Sequence, residues 1–154
     1  VEHTTLFPVD TTLADGRTCI LIDPGSVGNL AGDVWVREVA QQSLAAGGNP
    51  SYAKRERELS VSGVGHGSQV STMNALLPIA LRSDEDEQGT AYVHHGFLTV
   101  PSLENSNTPG LLGLKSLREN RALLDTVNNK LYFVGPGDFQ LEKLLPEGTM
   151  AFPC

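Results

Sequence analysis

The chain has 154 residues, of which 40% are hydrophobic and 19% are charged, and its formal net charge is −7. This length fits one domain with a sizeable core and excludes a second full domain, and no apolar run reaches the roughly 18 residues of a membrane span. The acidic balance argues against nucleic acid as a partner, because phosphate binding needs a clustered basic surface.

The N-terminal part of the chain is predicted to contain a strand, a turn and a helix. The strand is Arg17–Ile22, which is rich in β-branched and apolar residues and runs into a turn at Asp23. The helix is Asp33–Ala46, because its apolar residues recur at helical spacing and the glycines at 47 and 48 stop it. The polar segment that follows predicts a second short helix that starts near Pro50.

The middle of the chain has the pattern of a long hairpin. Two β-like runs within residues 59–81 flank the glycine-dense tip "SGVGHGS" at Ser62–Ser68. The acidic run "RSDEDEQG" at residues 82–89 predicts a turn, and "TAYVHHGFLTV" at residues 90–100 alternates like another strand.

The C-terminal part begins with an apolar segment around Gly113, which is followed by a short predicted helix from Ser116. The run "ALLDTVNNKLYFV" predicts a hairpin whose turn is at residues 128–129. The tail beyond Asp138 predicts an amphipathic turn or two, and no internal repeat is visible.

Asp23 lies at the end of a strand whose other residues have the pattern of a buried core. The N–H groups of the following turn and the Ser26 hydroxyl can donate hydrogen bonds to its carboxylate and fix its direction. One interpretation is an Asp that satisfies only its own turn, and the other is a carboxylate oriented for chemistry. The glycine-tipped hairpin and the apolar segment ending at Gly113 follow in an order that favours the second interpretation.

Three segments together, "ILIDPGS", "VSGVGHGS" and "GLLGLKSLRENRALLD", resemble the retropepsin-like aspartic proteases, above all those of retroelement polyproteins. The resemblance covers roughly Thr18–Phe133. It implies a mainly β, retropepsin-like fold with a closed, barrel-like sheet, short helices and an active site at a homodimer interface. It also implies an aspartic endopeptidase that cleaves extended polypeptide and processes a retroelement-type polyprotein.

This resemblance assigns roles to individual residues. Asp23 is the catalytic residue, and Pro24, Gly25 and Ser26 support the active-site loop. The flap that closes over substrate consists of Ser62, Gly63, Val64, Gly65, His66 and Gly67. The segment that crosses behind the active-site loop consists of Leu111, Leu112 and Gly113.

The mechanism of the family places one Asp from each chain at a two-fold interface, where the two carboxyl groups share one proton. The ionised carboxylate takes a proton from a water that attacks the peptide carbonyl, while the protonated partner polarises that carbonyl. Because this chain holds one such motif, the resemblance implies a homodimer and an activity shifted towards acid pH.

Pro24 departs from the pattern of the family, which has Thr or Ser at this position. In the family that residue forms a reciprocal interlock across the dimer, and proline has neither the hydroxyl nor the N–H to form it. Proline does preset φ for a turn. The departure therefore bears on the strength of the dimer and on the geometry of the catalytic pair. It predicts a weaker protease or a dimer held together by other contacts, and leaves open a non-catalytic dimer of the same fold that binds peptides.

The resemblance places the domain boundaries as follows. A single retropepsin-like domain spans residues 1–154, with a core over about 12–134, a helical insertion over about 33–58 and a tail over 135–154.

Several further residues have a structural and a functional interpretation. His66 either touches substrate or is solvated, and the acidic run Asp84–Glu87 is either a solvated turn or a weak calcium site. His94 and His95 fall on opposite faces of a strand, which disfavours a shared metal. Trp35 is interpreted as a core residue.

Two other enzyme classes fit the sequence less well. Ser26 lacks the G-x-S-x-G context of a hydrolase nucleophile. A D-x-G-S motif after a strand also opens the phosphate loop of actin-like folds, but those folds need two α/β domains and more than about twice this length.

Two cysteines, Cys19 and Cys154, are too few for a disulfide framework and do not have a metal-site spacing. No basic-then-apolar leader is visible at the N-terminus. We therefore interpret both cysteines as free thiols, expect no metal or other cofactor, and predict an intracellular, cytoplasmic location without membrane contact.

Overall fold

The structure is a computed structural model of the chain, and it describes residues 12–62, 67–135, 137, 140–143 and 145–151. The described residues form two compact units, one within Val1–Lys115 and one within Ser116–Cys154. The elements in chain order are β1 (Ile20–Asp23), β2 (Ala31–Gly32), α1 (Asp33–Ala45), β3 (Ser51–Ser62), β4 (Ser68–Arg82), β5 (Val93–Leu103), β6 (Gly110–Gly113), α2 (Leu114–Glu119), β7 (Ala122–Asp125), β8 (Lys130–Phe133) and a 3-10 turn at Leu141–Lys143.

The first unit contains two sheets. A four-stranded sheet has the order β2-β5-β4-β3, in which β4 pairs antiparallel with both neighbours and β2 runs parallel to β5. A separate pair joins β1 to β6 in parallel, and its register places Asp23 opposite Gly113. Leu30 forms an antiparallel bridge with Leu111, so β6 lies between β1 and the chain that leaves the Asp23 turn.

The prediction of a mainly β fold with short helices is confirmed, but the described strands do not close into a barrel. Instead, β3 is an outer strand of the four-stranded sheet. Its pairing with β4 is irregular between Lys54 and Leu59, where the run "RERE" brings four consecutive charged residues. Irregular pairing and charged side chains are typical of an edge strand that stays unpaired on one side.

Helix α1 covers the inner face of the four-stranded sheet. Its buried positions recur at helical spacing, so one stripe of the helix faces the core. The indole N–H of Trp35 donates to the Cys19 carbonyl at 2.8 Å, and the prediction that Trp35 is a core residue is confirmed. The buried core consists of Ala31, Trp35, Val36, Val39, Ala40, Ala75, Leu77, Leu98 and Val100.

The predicted helix of residues 33–46 is confirmed and ends one residue earlier than expected, at Ala45. The second helix predicted near Pro50 is wrong, because the chain from Ser51 enters strand β3. Of the predicted helical insertion over about 33–58, only Asp33–Ala45 is helical, and the part from Ser51 onwards belongs to strand β3. Ser51–Lys54 and Leu59–Ser62, on either side of the charged run, pair with β4, and such tertiary pairing overrides a weak local preference.

Asp33 ties the start of α1 to the segment that precedes β6. One carboxylate oxygen, Oδ1, accepts the Ser106 N–H at 3.0 Å, and Oδ2 lies 3.1 Å from Nη1 of Arg37. The Ser106 hydrogen bond, followed by the Arg37 charge, lowers the pKa of the Asp33 carboxyl group. The ionised form is therefore favoured by folding.

We expect Asp33→Asn to lower the free energy of unfolding near pH 7 by about 1 kcal/mol. A carboxyl group whose pKa is lowered by folding contributes stability above its unfolded pKa and loses it as the pH falls through the folded pKa. The difference between the two proteins should therefore shrink towards about pH 3 in urea titrations. An equal loss at both pH values would contradict a contribution from the charge.

The predicted hairpins are present in both units. Strands β3 and β4 form the long hairpin, and its tip residues Gly63, Val64, Gly65 and His66 lie outside the described residues. In the second unit β7 pairs antiparallel with β8, and Asn129 adopts a left-handed φ of 54° in the turn, as the sequence predicted for a turn at this place.

The sequence also predicted two free cysteines and the absence of a membrane span. Cys19 is a free, half-buried thiol, whereas Cys154 lies outside the described residues. No helix in the described part of the chain is long and apolar enough to cross a bilayer.

Candidate active site

Asp23 is the last residue of β1, and its side chain is half-buried. The Gly25 N–H donates to Oδ1 of its carboxylate at 3.0 Å, and the Ser26 N–H donates to its main-chain carbonyl at 3.1 Å. In the described part of the chain no group hydrogen-bonds Oδ2. The turn therefore holds one carboxylate oxygen in a fixed direction, and the described residues place no hydrogen-bond donor on the other.

The residues after Asp23 form a tight turn. Pro24 and Gly25 are exposed, and Pro24 occupies the second position of the turn, where its restricted φ is suitable. The Ser26 hydroxyl does not bond the Asp23 carboxylate as expected. It donates to the Gly28 carbonyl at 2.7 Å, because the loop turns back at Gly28 and brings that carbonyl nearer.

The loop from Asp23 lies against the end of β6. The Leu114 N–H donates to the Ser26 carbonyl at 2.8 Å, and the Lys115 N–H donates to the Val27 carbonyl at 3.0 Å. A Cβ at Gly113 would lie 2.2 Å from the Gly28 carbonyl oxygen, a separation that no side chain tolerates. Glycine at this position therefore allows the loop and β6 to approach so closely.

The predicted segment behind the loop lies next to it. Leu111 and Gly113 are buried, and Leu112 is half-buried. Leu111 forms a second core cluster with Leu30 and Leu103. The structure thus brings Asp23, its turn and Leu111–Gly113 together in one compact arrangement.

The end of the long hairpin next to its tip reaches this same cluster. Leu59 and Val61 of β3 pack against the cluster of Leu30, Leu103 and Leu111. Beyond them, Ser62 pairs with Ser68, and Gly67 lies in the bend that follows the tip. Of the predicted flap, Ser62 and Gly67 are described and lie at the two ends of the tip, and Gly63–His66 are outside the described residues.

Asn29, which was not among the residues predicted from the sequence, bridges the loop to two strands through its side chain. Its Oδ1 accepts the Gly113 N–H at 3.0 Å, and its Nδ2 donates to the Thr99 carbonyl of β5 at 3.1 Å. The available signal was an amide side chain, both donor and acceptor, placed six residues after the Asp in a glycine-containing loop.

The arrangement offers oxygen and amide groups but no metal centre among the described residues. No three His, Cys, Asp or Glu side chains in that part of the chain lie together as ligands. His94 and His95 are both exposed on β5, opposite Leu81 and Ala80 of β4. Adjacent strand residues point to opposite faces, so their rings cannot converge on one ion.

The chain was compared with models of protein families, with curated proteins and with solved structures. None of the three comparisons found a match.

Proposed function

We propose that this chain is an aspartic endopeptidase of retropepsin-like fold that acts as a homodimer, with Asp23 from each subunit forming the catalytic pair. The observation that carries the proposal is the Asp23 carboxylate, which the Gly25 N–H anchors through Oδ1 and whose Oδ2 accepts no hydrogen bond from the described residues. A carboxylate held in this way is already oriented for proton transfer before substrate arrives. The position of β6 between β1 and Leu30 also supports the fold assignment.

The proposed reaction needs two carboxyl groups that share one proton, and each subunit supplies one. The ionised Asp23 accepts a proton from water, and the resulting oxygen nucleophile forms a bond to the peptide carbonyl carbon. The protonated Asp23 of the partner subunit donates its proton to the carbonyl oxygen. The tetrahedral intermediate then returns one hydroxyl proton to the carboxylate of the partner subunit as the C–N bond breaks. The leaving amine takes the proton that Asp23 gained from water, so the pair again holds one proton.

The proposed substrate is an extended polypeptide, with processing of a retroelement-type polyprotein in the cytoplasm as the biological role. An extended peptide can pair with strand backbone along its length, which suits a site bordered by the β3–β4 hairpin. Leu59 and Val61, next to the tip of that hairpin, pack against the cluster that contains Leu111. The hairpin thus contacts the cluster that includes β6, the strand against which the Asp23 loop lies.

The test is a digest of a mixed peptide library at about pH 3 to 7, analysed by mass spectrometry for the native chain and for Asp23→Asn. Cleavage by the native chain alone would support the proposal and report the side-chain preference of the site. No cleavage by a native chain that is folded and dimeric would contradict it. Equal cleavage by both proteins would do the same.

A second candidate function is a dimeric peptide-binding module without catalysis. Pro24 favours it, because this exposed residue has neither the N–H nor the hydroxyl that the resembled proteases use to interlock their subunits. Peptides of the library would then be retained by the native chain without being cleaved.

Pro24→Thr is expected to strengthen the dimer, because threonine restores both groups of the interlock. Two restored hydrogen bonds would lower the dimer dissociation constant by about tenfold or more. Sedimentation on serial dilution measures this constant for the native chain and the variant. An unchanged constant would contradict the role assigned to Pro24.

A further inference from the structure

The loop after Asp23 is joined to the rest of the first unit mainly through main-chain contacts with the end of β6. Gly113, Leu114 and Lys115 supply three consecutive N–H donors to this contact. Two of them bond loop carbonyls directly, and the N–H of Gly113 bonds the side chain of Asn29 instead. A side chain thus completes a hydrogen-bond series that is otherwise made by the backbone.

The Asn29 amide uses both of its ends. While Oδ1 receives the Gly113 N–H, Nδ2 donates to Thr99 of β5, which belongs to the four-stranded sheet. Gly113 is also the register partner of Asp23 in the β1–β6 pair. One half-buried side chain therefore connects the loop, the strand beside Asp23 and the main sheet.

We propose that Asn29 is a positioning residue that seats the Asp23 loop on β6 and β5 and so sets the direction of the Asp23 carboxylate. No other natural side chain of this size carries a donor and an acceptor on one planar amide. A hydrophobic replacement leaves the buried Gly113 N–H without its partner, which is costly for a backbone group away from water, and also removes the donor to the exposed Thr99 carbonyl. The catalytic consequence rests on the proposed function, but the seating of the loop does not.

The first measurement is amide hydrogen exchange, followed by NMR, on the native chain and on Asn29→Leu. We expect the protection of the Gly113, Leu114 and Lys115 amides to fall by about tenfold in the variant. The amides of Leu77 and Leu98, which pair between β4 and β5, serve as the internal reference and should change by less than about twofold. Equal acceleration of both sets, or unchanged loop amides, would overturn the proposal.

Two further variants keep the test decisive. Asn29→Asp retains the acceptor for the Gly113 N–H and should restore the protection of that amide. Gln42→Leu removes a comparable amide, which donates to the Thr18 hydroxyl at 2.7 Å, and should leave the loop amides unchanged. If Asn29→Leu does not fold, Asn29→Ala is measured instead, with the same expected result and the same contradicting result.

The second measurement is steady-state cleavage of a peptide identified in the library digest. We expect Asn29→Leu to lower kcat by about tenfold with KM within about twofold, because a displaced carboxylate affects proton transfer more than peptide binding. Asn29→Asp should recover part of kcat. If the native chain cleaves nothing while the loop amides respond as expected, the proposed function fails and the positioning role of Asn29 stands. If the native chain cleaves the peptide and Asn29→Leu leaves kcat unchanged, the positioning role of Asn29 is contradicted and the proposed function is not.

Discussion

Replacing Asp23 by asparagine is expected to lower kcat/KM for a cleaved peptide by about 10³-fold or more, with little change in stability. The amide retains an oxygen that can accept the Gly25 N–H, so the turn should keep its shape. It cannot take a proton from water, so the nucleophile is not formed. Asp86→Asn is the matched control, because it makes the same change in the acidic turn, where Asp86 accepts N–H groups of its own loop.

Mixing the two proteins tests whether the catalytic pair is shared between subunits. With a ninefold excess of Asp23→Asn, random pairing places most native subunits in mixed dimers, and activity per native subunit should fall about tenfold. An excess of the variant that leaves this activity unchanged would contradict a shared pair. Unfolding curves and sedimentation of the variant must match those of the native chain for the comparison to hold.

Gly113→Ala is expected to produce the largest loss of stability, about 3 kcal/mol. Its Cβ would lie 2.2 Å from the Gly28 carbonyl oxygen and 2.9 Å from the Ser26 carbonyl oxygen, so it meets rigid backbone on the loop side. Relief requires the loop to move away from β6, which also breaks the bonds from Leu114 and Lys115.

Urea titration of Gly113→Ala against Gly96→Ala measures this effect. Gly96 lies within β5, and a Cβ there would meet nothing within 4 Å, so the same substitution should cost little. A similar loss of unfolding free energy in both variants would contradict the explanation that the alanine Cβ at position 113 clashes with the Gly28 carbonyl oxygen. We also expect Gly113→Ala to impair cleavage, since the displaced loop carries Asp23.

Elements with a strong local pattern were predicted well from the sequence. The apolar spacing over residues 33–46 predicted α1 to within one residue at its end, because burial of one helical stripe depends on nearby residues. The turn at residues 128–129 was predicted for a similar reason, since asparagine tolerates the left-handed φ that Asn129 adopts. The placement of Asp23 at a strand end followed by a tight turn was also apparent.

Other features depended on contacts between distant segments. The charged segment within β3 has no strong strand pattern, and the residues on either side of it are held as strand by pairing with β4. The Ser26 hydroxyl was expected to bond Asp23, yet the path of the loop brings the Gly28 carbonyl to it. The amide of Asn29 was a weak signal by itself, because its partners at Gly113 and Thr99 are 84 and 70 residues away.

The sequence by itself determined the mainly β character, helix α1, the hairpins and the Asp23 turn, since each depends on periodicity or turn chemistry within a short stretch. Only the tertiary structure decided that β6 lies between β1 and Leu30, that the strands stay in separate sheets, and that Asn29 bridges two of them. These features arise from main-chain hydrogen bonding and close packing between segments far apart in the chain. Such interactions require compatible shapes and free backbone groups, which leave little trace in the residue pattern of either segment.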